Sequence, residues 1–403
     1  MLKLSTNKWR TRNFLAHHNF SSIMISNNMN WLRGVSLIIF FITTSSVGKG
    51  QKQLFNTNEE KVVGNILTHD LKAPWSMAEL PDNRLLITEK AGNLLIFNTL
   101  TADSIKIKSP SLQADLGQGS LLSVILHPDF ANNQKIYLSY TRGSRGLFNL
   151  TIAMAELVND ELANFKVIFE ALPAKSSVTN FGSGLAFDKQ GLLYFGVGDR
   201  NYPSSAQDLT SPLGKIMRIK DDGKTPMDNP FNRGSNYIEQ IYSYGHRNPQ
   251  GLYFDDKTNQ LWSSEHGPKG GDEINLIKKG KNYAWPLASF GRKYSGELIN
   301  HGLTSYPGTI EPLWHWAPSI DPAELVIYHG EQFPNWQGDI LVASLKFSYI
   351  AKLKIENGKL GKEEKLFKNQ YPRIRDILVT QNGEIYLITD YGMLVKLKAP
   401  AKR

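Results

Sequence analysis

The sequence contains no cysteine. That excludes disulfides, thiolate metal sites and cysteine nucleophiles. It does not fix the compartment, because exported proteins also fold without disulfides. Helical periodicity is scarce too, the best candidate being a short piece around Ala153 to Leu157. Long apolar runs are missing. The strongest run near the N-terminus, Val35 to Ile42, is too short to cross a bilayer, so no membrane span is expected in the mature protein. Net charge is also largely absent from the body of the chain. The formal value is +9, but residues 1–50 hold Lys3, Lys8, Arg10, Arg12, Arg33 and Lys49 and no acid. Without those six, 40 basic residues face 37 acidic ones, so a nucleic-acid partner is not expected.

Val35 to Ile42 follows Arg33 and ends in Thr43-Thr44-Ser45-Ser46 and Gly48. Basic region, apolar core and small residues are the order of a secretory signal. Met29 lies just before it and reads as the true start, with residues 1–28 upstream of a misassigned one. Residues 1–50 are thus expected to be a leader, and the folded part periplasmic or secreted. The alternative is an uncleaved N-terminal membrane anchor.

The 403 residues suffice for one large β domain or two smaller ones. From about residue 60 one unit keeps returning. Leu80-Pro81-Asp82-Asn83 leads into Arg84 to Glu89, then Ala91-Gly92-Asn93 into Leu94 to Phe97. Gly191 leads into Leu192 to Val197 and Asp199; Asn259 into Gln260 to Glu265; Gly383 into Glu384 to Asp390. Polar turns feeding short β-branched and aromatic runs that end on an acidic residue are hairpin signals. Their recurrence out to residue 397 is the pattern of a β-propeller and predicts one all-β domain over 60–400. A pair of β-sandwiches would not require the repeat. Propellers bind ligands over the central channel, in loops from several blades.

The densest such loops run from Tyr244 to Tyr283: Y-G-H-R-N-P-Q-G, E-H-G-P-K-G-G-D-E-I-N and K-N-Y-A-W-P. Their carbonyls and carboxylates suit a hard cation, and their guanidinium and carboxamide an anionic ligand.

With L-K-A-P-W-S-M-A-E-L-P-D, G-Q-G-S-L-L-S-V-I-L-H-P-D-F, A-Q-D-L, D-N-P-F, S-L-K and R-I-R-D added in order, residues 71–397 resemble the soluble quinoprotein sugar dehydrogenases. This is the aldose or glucose/sorbosone family, which uses calcium and pyrroloquinoline quinone (PQQ). The resemblance implies a six-bladed propeller that oxidises a sugar, or a related alcohol or aldehyde hydrate, to the lactone or acid. Electrons would pass to an acceptor the sequence does not reveal. For PQQ, with its three carboxylates and ortho-quinone, the resemblance implies contacts from Gln118, Arg247, Asn248, Trp316, Lys346, Arg373 and Arg375. Two arginines at i and i+2 on a strand point the same way. For catalytic calcium it implies the carbonyls of Gly267 and Pro268. Glu265 and Asn275 are assigned to a second, structural calcium.

The sequence departs from the family where the general base belongs. A histidine is expected in H-F-G-S-R-L-A-F; here Asn180 opens the segment and Gly184 replaces the arginine. Asparagine orients a hydroxyl but cannot take its proton. Asp321 and Glu324, in D-P-A-E where the family has A-P-S-G, are candidate substitutes near the expected substrate mouth. Three readings follow: a dehydrogenase with a relocated base, a slow or non-catalytic PQQ/sugar-binding propeller, and a lactonase-type propeller hydrolase. A lactone needs no cationic cofactor site, which weighs against the last.

Overall fold

Short runs of β-branched and aromatic residues between turns form strands throughout the computed structural model, which describes residues 52–107, 117–232 and 236–401. The proposed leader, including Met29 and Val35 to Ile42, lies outside the described residues. Asn83, Gly92, Gly191, Asn259 and Gly383 all adopt positive φ in the tight turns that the repeated unit placed there. The segment around Ala153 to Leu157 is not helical. It belongs to the long strand Leu147–Val158, whose continuous burial between two neighbours hides the period-two alternation. Among the described residues, helix is limited to Phe130–Asn133 and three short 3₁₀ turns.

The strands form six antiparallel blades. Their innermost strands are Pro74–Glu79, Leu121–Leu126, Leu185–Phe187, Pro249–Asp255, Pro322–Ile327 and Ile374–Val379. Each touches the next, and the last touches the first, so the blades close into a ring around a central channel. The ring is latched by pairing the ends of the chain. Lys61–Thr68 joins Leu394–Lys398 in the sixth blade, with Val63 opposite Lys398 and Ile66 opposite Val395. Lys52–Asn56 then adds a fifth strand outside it.

Apolar side chains fill the spaces between blades. Tyr328, Phe333 and Trp336 are fully buried between the fifth and sixth, and Trp262 packs with Ile274 and Val342 between the fourth and fifth. Interiors packed this way are rigid, so loops at the channel mouth have a fixed frame. The N-terminal ends of the innermost strands line one cavity of the channel and their C-terminal halves another.

Candidate active site

The cavity at the N-terminal ends has a volume of about 410 Å³. Ile374–Val379 brings in Arg375 from the strand and Arg373 from the turn before it, where Arg373 has φ +48°. The two guanidiniums converge on Asp390, but not by strand alternation as the i and i+2 spacing predicts, because Arg373 lies in the turn before the strand. Arg373 Nε donates to its Oδ2 at 2.9 Å and Arg375 Nε to its Oδ1 at 2.8 Å. Burial would raise the Asp390 carboxyl, but the two guanidiniums outweigh it and hold it below its ordinary value. Arg375 also lies over the Trp75 ring at 4.1 Å.

Across the cavity, Arg247 Nη1 donates to the carbonyls of His266, at 2.9 Å, and Gly267, at 2.6 Å. This draws the Gly267–Pro268 turn against the guanidinium. Gly267 tolerates no side chain, because a Cβ there would lie 2.2 Å from the Gly271 carbonyl oxygen. Asp272 holds the turn by accepting from Gly267 N at 2.9 Å. It also ties in the next blade by accepting from Ile320 N at 2.8 Å and Asp321 N at 2.9 Å. Among the described residues, Lys90, Arg247, Arg373 and Arg375 line the cavity against Asp321 and Asp390. That surplus of positive charge fits a polycarboxylate, and the exposed Tyr294 ring at the cavity offers a flat surface to a planar ring system.

Asn180 lines the same cavity. Its φ of +52° is a conformation that asparagine, aspartate and histidine tolerate best among residues with a side chain. Its backbone N–H donates to Gln118 Oε1 at 2.9 Å, leaving the Gln118 amide nitrogen for a ligand. Its own Nδ2 donates to Asp199 Oδ1 at 2.9 Å and to Asn201 Oδ1 at 3.2 Å. Asp199, itself buried, is fixed from the other side by the Trp285 indole at 2.8 Å. Arg200, fully buried, clamps the segment before Asn180. It donates to the carbonyls of Thr179, Phe148 and Ser177 and stacks on Phe181 at 3.6 Å.

Behind the Gly267–Pro268 turn, Glu265 and Glu273 line a void of about 20 Å³, and Asn275 Nδ2 donates to both carboxyls. That is room for one water or ion. Glu265 accepts from His246 Nδ1 at 2.7 Å and Asn275 Nδ2 at 3.2 Å. Burial, and then the Glu265 charge, push Glu273 up to about 8. Asn275 Oδ1 is buried with no partner. Two carboxyls beside the Gly267 and Pro268 backbone, with a partnerless amide oxygen on the residue that bridges them, are oxygen-rich chemistry that fits a hard cation. Among the described residues no three His, Asp or Glu side chains form a metal cage, so such an ion would depend on carbonyl and amide oxygens as well.

Several expected residues lie elsewhere. Trp316 belongs to the outer strand of its blade and is buried in the core between the fourth and fifth blades, not against the cavity. Asn248 is 1 % exposed, and its Oδ1 accepts from Gly182 N at 3.0 Å and Gln250 Nε2 at 3.1 Å, so it supports the wall rather than forming it. Lys346 is exposed on the hairpin turn beside the mouth, with its ammonium 5.4 Å from the Phe347 ring. Asp321 lines the cavity, with Ser319 Oγ donating to its Oδ1 at 3.2 Å. Glu324 does not: it faces the other cavity of the channel, so it cannot serve as the base at this mouth. The register shift between Pro322 and Leu325 sets its direction. Asp199 and Asp390 had a signal in the sequence, since both are the acidic residue that ends a repeated unit.

A glucose/sorbosone dehydrogenase family model matches residues 71–396. The aldose sugar dehydrogenase YliI of Escherichia coli is 37 % identical over 340 residues, covering 82 % of this chain and 91 % of the relative. The quinoprotein glucose dehydrogenase B of Acinetobacter calcoaceticus is 27 % identical, covering 87 % of this chain and 88 % of the relative. The PQQ-bound aldose sugar dehydrogenase of Streptomyces coelicolor superposes with a TM-score of 0.67 at 26 % identity, covering 87 % of this chain and 98 % of that one.

Proposed function

This chain belongs to the glucose/sorbosone dehydrogenase family, a family of sugar oxidoreductases, and from that premise we propose that it is a PQQ- and calcium-dependent aldose dehydrogenase with a displaced general base. The observation that carries the reading is the cavity in which Arg373, Arg375, Arg247 and Lys90 outnumber two carboxylates beside the Gly267–Pro268 turn. When bound there, PQQ supplies a hydride acceptor at its quinone carbon and calcium the Lewis acid that polarises it. Arg373 and Arg375 bind its carboxylates, with Gln118 Nε2 as a further donor. The carbonyls of Gly267 and Pro268 would hold a catalytic ion, the Gly267 oxygen sharing its second lone pair with Arg247, and Glu265 and Asn275, with Glu273 beside them, would hold a second.

The proton of the substrate hydroxyl needs an acceptor. Asn180 can orient that hydroxyl through its Oδ1, because its Nδ2 is committed to Asp199 and Asn201. Asp390 is occupied by two arginines, so among the described residues Asp321 is the cavity carboxylate able to take the proton. Asn180 also favours a second reading, in which the loaded protein binds sugar but turns over slowly. The Arg33-led apolar run supports export, testable by fractionating cells that express the full chain.

The test is titration of the apoprotein with PQQ and Ca²⁺, followed by an aldose screen with a dye acceptor. Calcium-dependent PQQ uptake with aldose-dependent dye reduction supports the reading, and uptake with negligible turnover supports the second. Failure to take up PQQ removes both.

A further inference from the structure

The cavity at the other end of the channel is larger, about 590 Å³, and opposite in charge. Among the described residues its lining includes Glu79, Asp256, Glu324 and Asp376, no lysine or arginine, and one histidine, His329. The remaining wall is mostly apolar, with Leu252, Val326 and Ile377 among its residues. A concave apolar cavity of several hundred Å³ with a few converging polar groups is the usual form of a small-molecule site.

Glu324 and Asp376 are the third residues of adjacent innermost strands and sit at the inner end of this cavity. Glu324 Oε1 accepts from Leu325 N at 3.1 Å. The space it fills exists because residue 251 is glycine, where a Cβ would lie 2.8 Å from that oxygen. Asp376 Oδ2 accepts from Met77 N at 2.6 Å. Backbone donors fix both carboxyls, and among the described residues no lysine or arginine of this lining pairs with either, although the Arg375 guanidinium of the opposite cavity acts on Asp376 from a distance. Burial pushes Asp376 up to about 7, and burial together with the Asp376 charge raises Glu324. Ser123, 5 % exposed, lines the same cavity, and its hydroxyl makes no hydrogen bond among the described residues. The main sequence departures here, Asp321 and Glu324, thus serve opposite cavities.

We propose that this cavity binds an organic cation, a primary ammonium on an apolar body, with the ammonium held by Glu324, Asp376 and the Ser123 hydroxyl. An ammonium has three donors for three such acceptors, and its alkyl body matches the wall. A divalent metal fits less well, since calcium takes about six to eight oxygen ligands and this wall is mainly apolar. The site does not depend on the cofactor reading of the opposite cavity.

The experiment is calorimetric titration of the full chain at pH 8 with n-hexylammonium chloride, n-hexanol and calcium chloride in separate runs. Hexylammonium should bind saturably with one site per chain, and hexanol about tenfold or more weaker. Glu324→Gln should weaken hexylammonium about tenfold, as loss of a charge-assisted partner does. Ser123→Ala, a milder change that keeps the strand, should weaken it severalfold while leaving the melting temperature near wild type. No saturable hexylammonium heat, equal affinity for hexanol, or unchanged affinity in both variants overturns the proposal. Calcium heat that Glu324→Gln abolishes would also overturn it and make the pair a metal site.

Discussion

The Asn180 side-chain amide donates to the Asp199 carboxylate at 2.9 Å, and that carboxylate is 1 % exposed. An imidazole at position 180 would make the same bond through one ring nitrogen and present the other to the cavity. Carboxylate–histidine pairs orient catalytic imidazoles in this way. Asp199 and its Trp285 donor therefore form a complete support for a base that the chain does not carry.

Asn180→His should accordingly raise aldose oxidation in the PQQ- and Ca²⁺-loaded protein. The backbone at φ +52° accepts histidine, and the support is in place. A gain of about tenfold or more in kcat is expected, at the lower end of what a positioned base contributes. Stopped-flow reduction of a dye acceptor reads it. An unchanged kcat would mean that proton transfer does not limit turnover.

Gly184, read in the sequence as the place of an arginine, should not accept that residue. A Cβ at 184 would lie 2.8 Å from Leu252 N and 2.9 Å from the Gln250 carbonyl oxygen, and backbone cannot give way as a side-chain tip can. Gly184→Arg should lower the melting temperature by several degrees, since overpacking costs about 1–3 kcal/mol. Thermal unfolding of this variant beside Asn180→His separates the two departures.

Replacing Arg373 and Arg375 together by Ala should weaken PQQ binding by about tenfold or more. The pair of changes strands Asp390, so Asp390→Asn should be added to keep the fold comparable. The sign of the pH effect follows from Asp390. Its folded value lies below the ordinary 3.8, so its pairing contributes fully above that value and is lost only as pH falls through the lower folded one. From this cluster PQQ affinity should be flat across neutral pH, as equilibrium titrations at several pH values would show.

The turn chemistry was legible in the sequence because each hairpin needs positive φ at known positions, as at Asn83, Gly92 and Gly383. Strand direction at bulges was not. Glu324 turns into the far cavity because register shifts between Pro322 and Leu325. Trp316 reads equally as a ligand platform or as core, and only pairing with Asp272 in an outer strand decides it. The resemblance of H-R-N-P-Q-G to the family motif assigns Asn248 as a cofactor contact, yet its carboxamide is used to hold Gly182. Alternation specifies which residues share a face, not which cavity that face meets.

Calcium removal should lower the melting temperature and abolish PQQ uptake together. A ligand bound only by the folded state stabilises it by mass action. Two carboxyls and the unpartnered Asn275 Oδ1 then lose their counter-charge at once. Differential scanning fluorimetry with excess chelator, with and without restored Ca²⁺, measures the shift. A melting temperature indifferent to chelator would leave the Gly267–Pro268 loop as a connector only.

Asp321 carries the last prediction, because it is the cavity carboxylate that no arginine occupies. Asp321→Asn preserves shape, and asparagine suits the φ of +52° found there, so folding should be unaffected. If Asp321 takes the substrate proton, wild-type turnover should fall by about a hundredfold. In the Asn180→His background the same change should cost little, since the imidazole then takes that proton instead. The two changes would be strongly non-additive, which a double-mutant cycle on kcat measures directly. Equal losses in both backgrounds would show that Asp321 shapes the cavity without accepting the proton.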